Sequence, residues 1–369
     1  MIRLHRFAVL TLAALLTLAL STTAFSQHVR NPLPVPDVEG FKTLKCDFHL
    51  HTVFSDGRVW PTVRVIEAYR QGLDVIALTD HDDYHPWAPH VSEDLMRPHE
   101  LAKPMADELG IILIPGIEIT KGEWHFNALF LEDRNVTKNL EKKEALIAAK
   151  KHGAFVFWNH PGWQRPERWF PEIDPLWDSQ LFSGIELVNG KTVYDGIYQE
   201  MMDKNLAILS NTDWHMPATE GDIEGRAITL VFARTADPSG IREALEARRT
   251  AAWMGGEVWG SKEMLTGLWE GAVKVENSSG TVAAGGSYTL RLSNSSAFEF
   301  RIDAAAKPEW LSLRGSRLAA QSGMAVAARI AEEAPQGSHE IDLVFKITNF
   351  HTGPGENLVV NVPLRLVVE

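Results

Sequence analysis

Short apolar runs alternate with polar, helix-like stretches from Leu44 to about Trp269, and this alternation constrains the fold more than any other feature of the chain. Strand-length apolar runs separated by helical segments mark βα units, in which crossover helices join neighbouring strands. Strands are expected at 44–48, 74–78, 111–119, 154–158, 184–188, 206–209 and 227–232. Seven such runs favour a βα barrel over a small open sheet. A last helix is expected from Asp237, an N-cap carboxylate followed by Pro238 in the first turn, with Ile241, Ala244, Leu245 and Arg248 at helical spacing.

From about Gly271 the pattern changes. Ser, Gly and Asn become frequent, and short strands of alternating polarity, such as 288–292, 340–347 and 358–368, point to a separate β-sandwich. With 369 residues, 45% of them hydrophobic, the chain can bury cores for two units, expected at 27–270 and 271–369.

Before these units, Arg3 and Arg6 precede an apolar stretch, 7–20, and small residues to Ser26. This is the pattern of a signal peptide spanning 1–26, and it predicts a secreted or periplasmic protein. No other run approaches the ~20 apolar residues that span a bilayer, so the mature form is not expected to be membrane-embedded. Cys46 is the only cysteine, which excludes an internal disulfide framework. A formal charge of −12 argues against generic nucleic-acid binding, which needs a Lys/Arg surface.

The chemistry-bearing residues follow the strands. In Asp47-Phe48-His49-Leu50-His51, positions two apart share a face, so the two imidazoles can grip one ion while Asp47 supports them from behind. Ser55-Asp56-Gly57 follows in a loop, then Thr79-Asp80-His81-Asp82, Glu118, His125, Asn159-His160-Pro161 and Asp213-Trp214-His215. Asp56 and His125 aside, each candidate ligand lies at or just beyond the C-terminal end of an expected strand. In a βα barrel those ends converge on one mouth.

Together these motifs, in this order, resemble the polymerase-and-histidinol-phosphatase (PHP) superfamily over roughly 45–269. The resemblance implies a distorted seven-stranded βα barrel. It also implies that His49, His51, Glu118 and Asp213 hold a first metal, that Glu118 bridges to a second held by His125 and His160, and that Asp56, His81 and His215 hold a third. Some members carry histidine at the position of Asp56, so occupancy of the third site is left open. A nitrogen and oxygen donor set without thiolate suits manganese, zinc or iron.

The expected activity is hydrolysis of a small organic phosphate ester, diester favoured, by attack of a metal-bound hydroxide on phosphorus, with Glu118, Asp213 and His215 as catalytic residues. Asp80, His85 and a metal-bound water are the candidates for protonating the leaving group. Arg165, Arg168, Trp124 and Trp163 are candidate substrate contacts, the arginines for phosphoryl oxygens and the tryptophans for an organic substituent. The competing readings are a phosphomonoesterase of histidinol-phosphatase type, a metal-dependent amidohydrolase, and a non-catalytic glycan- or partner-binding protein. The C-terminal unit shows no ligand cluster despite His339 and His351, and the sequence leaves the oligomeric state open.

Overall fold

The computed structural model describes residues 28–163, 165, 168–219 and 225–369, so the expected signal peptide lies outside the described residues. In chain order the first strands are β1 (Lys42–Asp47), β2 (Val75–Leu78), β3 (Ile112–Ile119), β4 (Phe126–Leu129), β5 (Phe155–Trp158) and β6 (Gly184–Asn189). They continue with β7 (Thr192–Val193), β8 (Ala207–Asn211), β9 (Ile228–Ala233), β10 (Thr250–Met254) and β11 (Glu257–Gly260). All seven expected runs form strands, each within two residues of its expected bounds. The expected helix is Pro238–Glu246, and the Asp237 carboxylate accepts hydrogen bonds from the backbone of Ser239 and Gly240.

Four strands were not anticipated: β4, β7, β10 and β11. None exceeds five residues, so their alternation is too brief to stand out from a loop. They make the sheet mixed. Strands β1–β2–β3 and β5–β6–β8 pair in parallel, while β4 lies antiparallel between β3 and β5, and β9 and β10 extend antiparallel from β1. Cys46, Ala77, Ile114, Phe157, Leu209 and Val231, from six of these strands, meet in one buried cluster. The sheet therefore curls around a shared interior.

Strand β8 is held differently from its neighbours. Its only backbone ladder among the described residues is with β6. On the other flank, Ser210 N donates to Thr229 Oγ1 (2.8 Å) and Ile208 N to Thr250 Oγ1 (3.0 Å). Asn211 Oδ1 accepts from Phe48 N (2.9 Å), and Thr212 Oγ1 donates to Asp47 (2.6 Å). Buried polar side chains thus take the place of a ladder where β8 meets β1 and β9, satisfying backbone groups that would otherwise be orphaned.

The remaining strands are β12 (Val273–Val275), β13 (Ser279–Val282), β14 (Ser287–Asn294), β15 (Phe300–Ala306), β16 (Leu311–Ser312) and β17 (Ser316–Leu318). Three long ones follow or interleave: β18 (Ser322–Ile330), β19 (Gly337–Gly353) and β20 (Glu356–Val368). One sheet is ordered β12–β14–β18–β16, and facing it lie β13–β20–β19 with β15 and β17. Leu290, Leu292 and Val326 from the first share a core with Ile341, Leu343 and Phe345 from the second, which is sandwich packing.

The sandwich is joined to the first unit through the sheet. Strand β11 pairs in parallel with β19, Val258 opposite Phe350 and Trp259 opposite His351, so one sheet runs from the curled unit into the C-terminal one. The His351 ring stacks on Trp259 at 5.2 Å and its Nε2 meets Glu257 at 2.7 Å. Leu265, Leu268 and Trp269 of the helix Lys262–Ala272 belong to the sandwich's core cluster. An apolar strand edge at β11 would otherwise be open to pairing with another chain. No helix among the described residues is long and apolar enough to cross a membrane.

Candidate metal centre

The strand ends bring all nine expected ligands together. Asp213 N donates to His49 O (2.9 Å) and His51 N to Trp214 O (3.1 Å), so the segments after β1 and β8 run side by side. An isolated bridge joins His81 to Glu118. The Asp56 loop is drawn tight against His51: a Cβ on Gly57 would lie 2.6 Å from Thr52 N, so only glycine fits.

Glu118 is the hub. Five histidines reach its carboxylate: His81 at 3.0 Å, His125 at 3.2 Å, and His49, His51 and His160 each at 3.4 Å. Asp213 Oδ1 lies 2.9 Å from His51 and 3.2 Å from His49. Asp56 Oδ1 lies 3.1 Å from His215 and 3.3 Å from His81. The nine residues form four overlapping groups able to hold an ion: His51, Asp56, His81, His215; His49, His51, Asp213; His49, Glu118, His160; and His81, Glu118, His125. His125 Nδ1 and His160 Nε2 both approach the same oxygen, Glu118 Oε1, at 3.2 and 3.4 Å, with their rings 5.1 Å apart, an arrangement compatible with the family-derived pairing of these two histidines on one ion.

The donor atoms fit cations better than they fit one another. Eleven buried side-chain polar atoms among the described residues lack a hydrogen-bond partner, and seven belong to this cluster: His49 Nε2, His51 Nε2, Asp56 Oδ1, His81 Nδ1, Glu118 Oε2, His160 Nδ1 and Asp213 Oδ1. Native interiors rarely tolerate such atoms, and a shared cation among the six that face other members of the cluster is the simplest explanation. The backbone is strained at two of these positions, His160 (φ 30°) and Asp213 (φ 54°).

Electrostatics agree. Burial alone would raise the Glu118 carboxyl, yet His49 and His81 hold it well below the usual range. Burial alone would depress His81, but Glu118 and Asp56 push it up to about 11. His51, beside it, is driven the other way, to about 3, by burial and by the charges of His215 and His81. Adjacent imidazoles cannot all protonate, so the carboxylates here are incompletely matched by protons.

Behind the ligands stands Glu186, fully buried on β6. Its Oε1 accepts from His49 Nδ1 (2.9 Å) and Asn211 Nδ2 (2.9 Å), and its Oε2 from His160 N (2.9 Å) and Asn189 Nδ2 (2.9 Å). This bond sets the His49 tautomer so that its Nε2 lone pair faces Glu118. Asn189 also reaches Asp213 Oδ2 (3.2 Å), and Asn159 donates to Glu118 Oε1 (2.8 Å). Asp47 supports the centre as expected, bonded by Thr212 and paired with buried Arg226. Glu186, Asn189 and Arg226 were missed. The signal for Glu186 was a lone acid in the otherwise apolar run Gly184–Asn189, since a buried carboxylate needs dedicated donors.

A cavity of about 490 Å³ opens onto the centre, lined by seven of the nine ligands, all but His49 and His51, together with Asp83, Tyr84, Thr120, Trp163, Asn189 and Tyr194. Trp163 stands where a substrate contact was expected, its ring 4.8 Å from His125 and 5.3 Å from His160. The other three expected contacts do not line this cavity. Arg165 is ion-paired with Glu123, Trp124 lies beneath Arg165 and Lys142, and Arg168 lies over Phe170. Neither acid candidate is placed to protonate a leaving group. Asp80 is fully engaged by Thr52 and Ser55, and His85 bonds the backbone of Phe54 and Asp82.

The structure matches, over 91% of this chain and 99% of the other, a two-domain protein from Bacteroides vulgatus containing a predicted PHP-like metal-dependent phosphoesterase, with TM-score 0.84 and 39% identity. The chain belongs to the PHP family. A stretch of 109 residues is 36% identical to a 5'-3' exoribonuclease of Haemophilus influenzae, covering 30% of this chain and 35% of that protein. A protein of Methanocaldococcus jannaschii described as uncharacterized is 26% identical over 188 residues, 47% of this chain and 83% of that one. No family model matches the chain.

Proposed function

We propose that this protein is a metal-dependent phosphodiesterase, exported by the segment 1–26, whose nine clustered residues hold two or three divalent ions of manganese, zinc or iron. The observation that carries the reading is the gathering of seven buried donor atoms without hydrogen bonds in one cluster, most of whose residues line the cavity. When bound, such ions neutralise phosphoryl oxygens and bring the pKa of a water toward neutrality.

The chain's own residues do the rest. Glu186 fixes the ring of His49, Asn159 fixes one oxygen of Glu118, and Asn189 one oxygen of Asp213, so the donor set is organised before substrate arrives. His49 and Glu118, almost wholly buried, keep bulk water from the floor of the cavity. Hydrolysis consumes one water: its oxygen bonds to phosphorus, the ester P–O bond breaks, and the departing alkoxide takes up a proton.

Charge favours a diester. No Lys or Arg lines the cavity among the described residues, and none of residues 164, 166, 167 and 220–224 is Lys or Arg. A phosphomonoester dianion would rely on cations alone, whereas a monoanionic diester asks less of the site.

The test compares aryl phosphate mono- and diesters, using mature protein stripped of metal and then reconstituted with Mn²⁺ or Zn²⁺, alongside His49→Ala. Turnover that requires metal and His49, with the diester preferred, is expected. No turnover in any metal-loaded form overturns the proposal.

A further inference from the structure

One carboxylate in the cavity is left over. The lining acids are Asp56, Asp83, Glu118 and Asp213, and all but Asp83 belong to the groups that could hold an ion. Asp83 accepts a hydrogen bond from Thr120 Oγ1 (2.5 Å) and forms no ion pair among the described residues. Lys121 and Lys142 lie within electrostatic range, but Lys121 is ion-paired with Glu141, the Lys142 ammonium sits 5.6 Å from the Trp124 ring centre, and neither lines the cavity.

Two aromatic rings line the same cavity as that carboxylate. Tyr84, the next residue, is 54% exposed with its ring 6.1 Å from His81. Trp163 is 45% exposed and anchored against His125 and His160. Two large aromatic side chains held half in solvent at a polar cavity present π faces of negative potential. A cavity of about 490 Å³ has room for an organic substituent beside a phosphoryl group.

We propose that the substituent is an organic cation, a quaternary or primary ammonium carried by the phosphodiester, recognised by Trp163, Tyr84 and Asp83. This rests on the phosphodiesterase reading above. An anionic substituent would meet Asp83 in a cavity that no Lys or Arg lines among the described residues. A neutral one would use the rings but leave the carboxylate unmatched. A cation uses both, through ring quadrupole and Coulombic attraction, and makes the substrate zwitterionic.

The deciding experiment holds the leaving group constant. The Mn²⁺-loaded mature protein is given p-nitrophenyl phosphocholine, its uncharged isostere 3,3-dimethylbutyl p-nitrophenyl phosphate, and bis(p-nitrophenyl) phosphate. A kcat/KM at least about tenfold higher for the choline ester than for the isostere is expected, mostly through KM. Trp163→Ala and Asp83→Asn, both at exposed positions, should each shrink that ratio to within about threefold. Equal rates, or preference for the isostere, overturn the cation proposal. If bis(p-nitrophenyl) phosphate is hydrolysed and both alkyl esters are refused, the cation proposal fails alone. If none of the three is hydrolysed, the phosphodiesterase reading fails and this inference falls with it.

Discussion

The mouth of the curled sheet and the C-terminal sandwich are joined by one continuous sheet, yet they treat buried polar groups in opposite ways. Beyond residue 271 only Asn294, Ser296 and Asn349 are buried polar residues among those described. Each is neutral and bonded, Asn349 for example donating to Gly256 O (2.7 Å) and Glu299 O (2.9 Å). The mouth buries His49, His51, His81, Glu118, His125 and His160, and leaves donor atoms of most of them without partners. The sandwich is built to be stable, and the mouth is built to be completed by something else.

The largest effect should come from breaking the hub. Glu118→Gln removes the carboxylate that five histidines face, and turnover by the metal-loaded protein should fall by about a thousandfold or more. The rise in Tm on adding Mn²⁺ should shrink with it; differential scanning calorimetry with and without metal reads this directly. An undiminished metal-induced shift would show that Glu118 is not a ligand.

The sandwich should respond in the complementary way. Leu343→Ala opens a cavity at a fully buried position, and urea unfolding should show a loss of about 2–5 kcal/mol. Metal affinity of the protein that remains folded should not change. If affinity falls in parallel, the β11–β19 pairing transmits packing to the mouth and the contrast between the regions is weaker than drawn here.

Glu186→Gln sharpens the comparison from inside. It keeps the shape of a buried side chain but weakens the acceptor for His49 Nδ1, and metal affinity should drop about 10–100-fold by isothermal titration. Unaltered affinity would reduce Glu186 to a structural residue.

A smaller effect is expected outside both regions. Burial, with Arg134 and Lys103 nearby, pulls His99 down to about 4. Its folded pKa lies below its unfolded one, so its contribution is complete above about pH 6.5 and is lost as pH falls toward 4, on the order of 2 kcal/mol once partial exposure is discounted. His99→Gln should flatten stability over that window in denaturant titrations. An unchanged slope would assign acid sensitivity to the mouth instead.

Much of this was legible in the residue order. The apolar runs located the seven main strands, and His49-Leu50-His51 and Asp213-Trp214-His215 declared paired donors at strand ends, because side-chain alternation along an extended chain is a local property. The four short strands were not legible, since two to five residues carry too little period. Arg165 and Arg168 looked available to a phosphate because their charge is visible in sequence, while the partner of Arg165, Glu123, lies 42 positions away.

The sequence by itself determined which residues could bind a cation and that they would gather at strand ends, since residue chemistry and backbone periodicity are written locally. Only the tertiary structure decided that His125 and His160 meet the same oxygen of Glu118, that Glu186 orients His49 across 137 positions, and that the sandwich shares a sheet with the barrel-like unit. Those outcomes depend on register and packing between distant segments, where direction and distance arise only when the chain closes on itself.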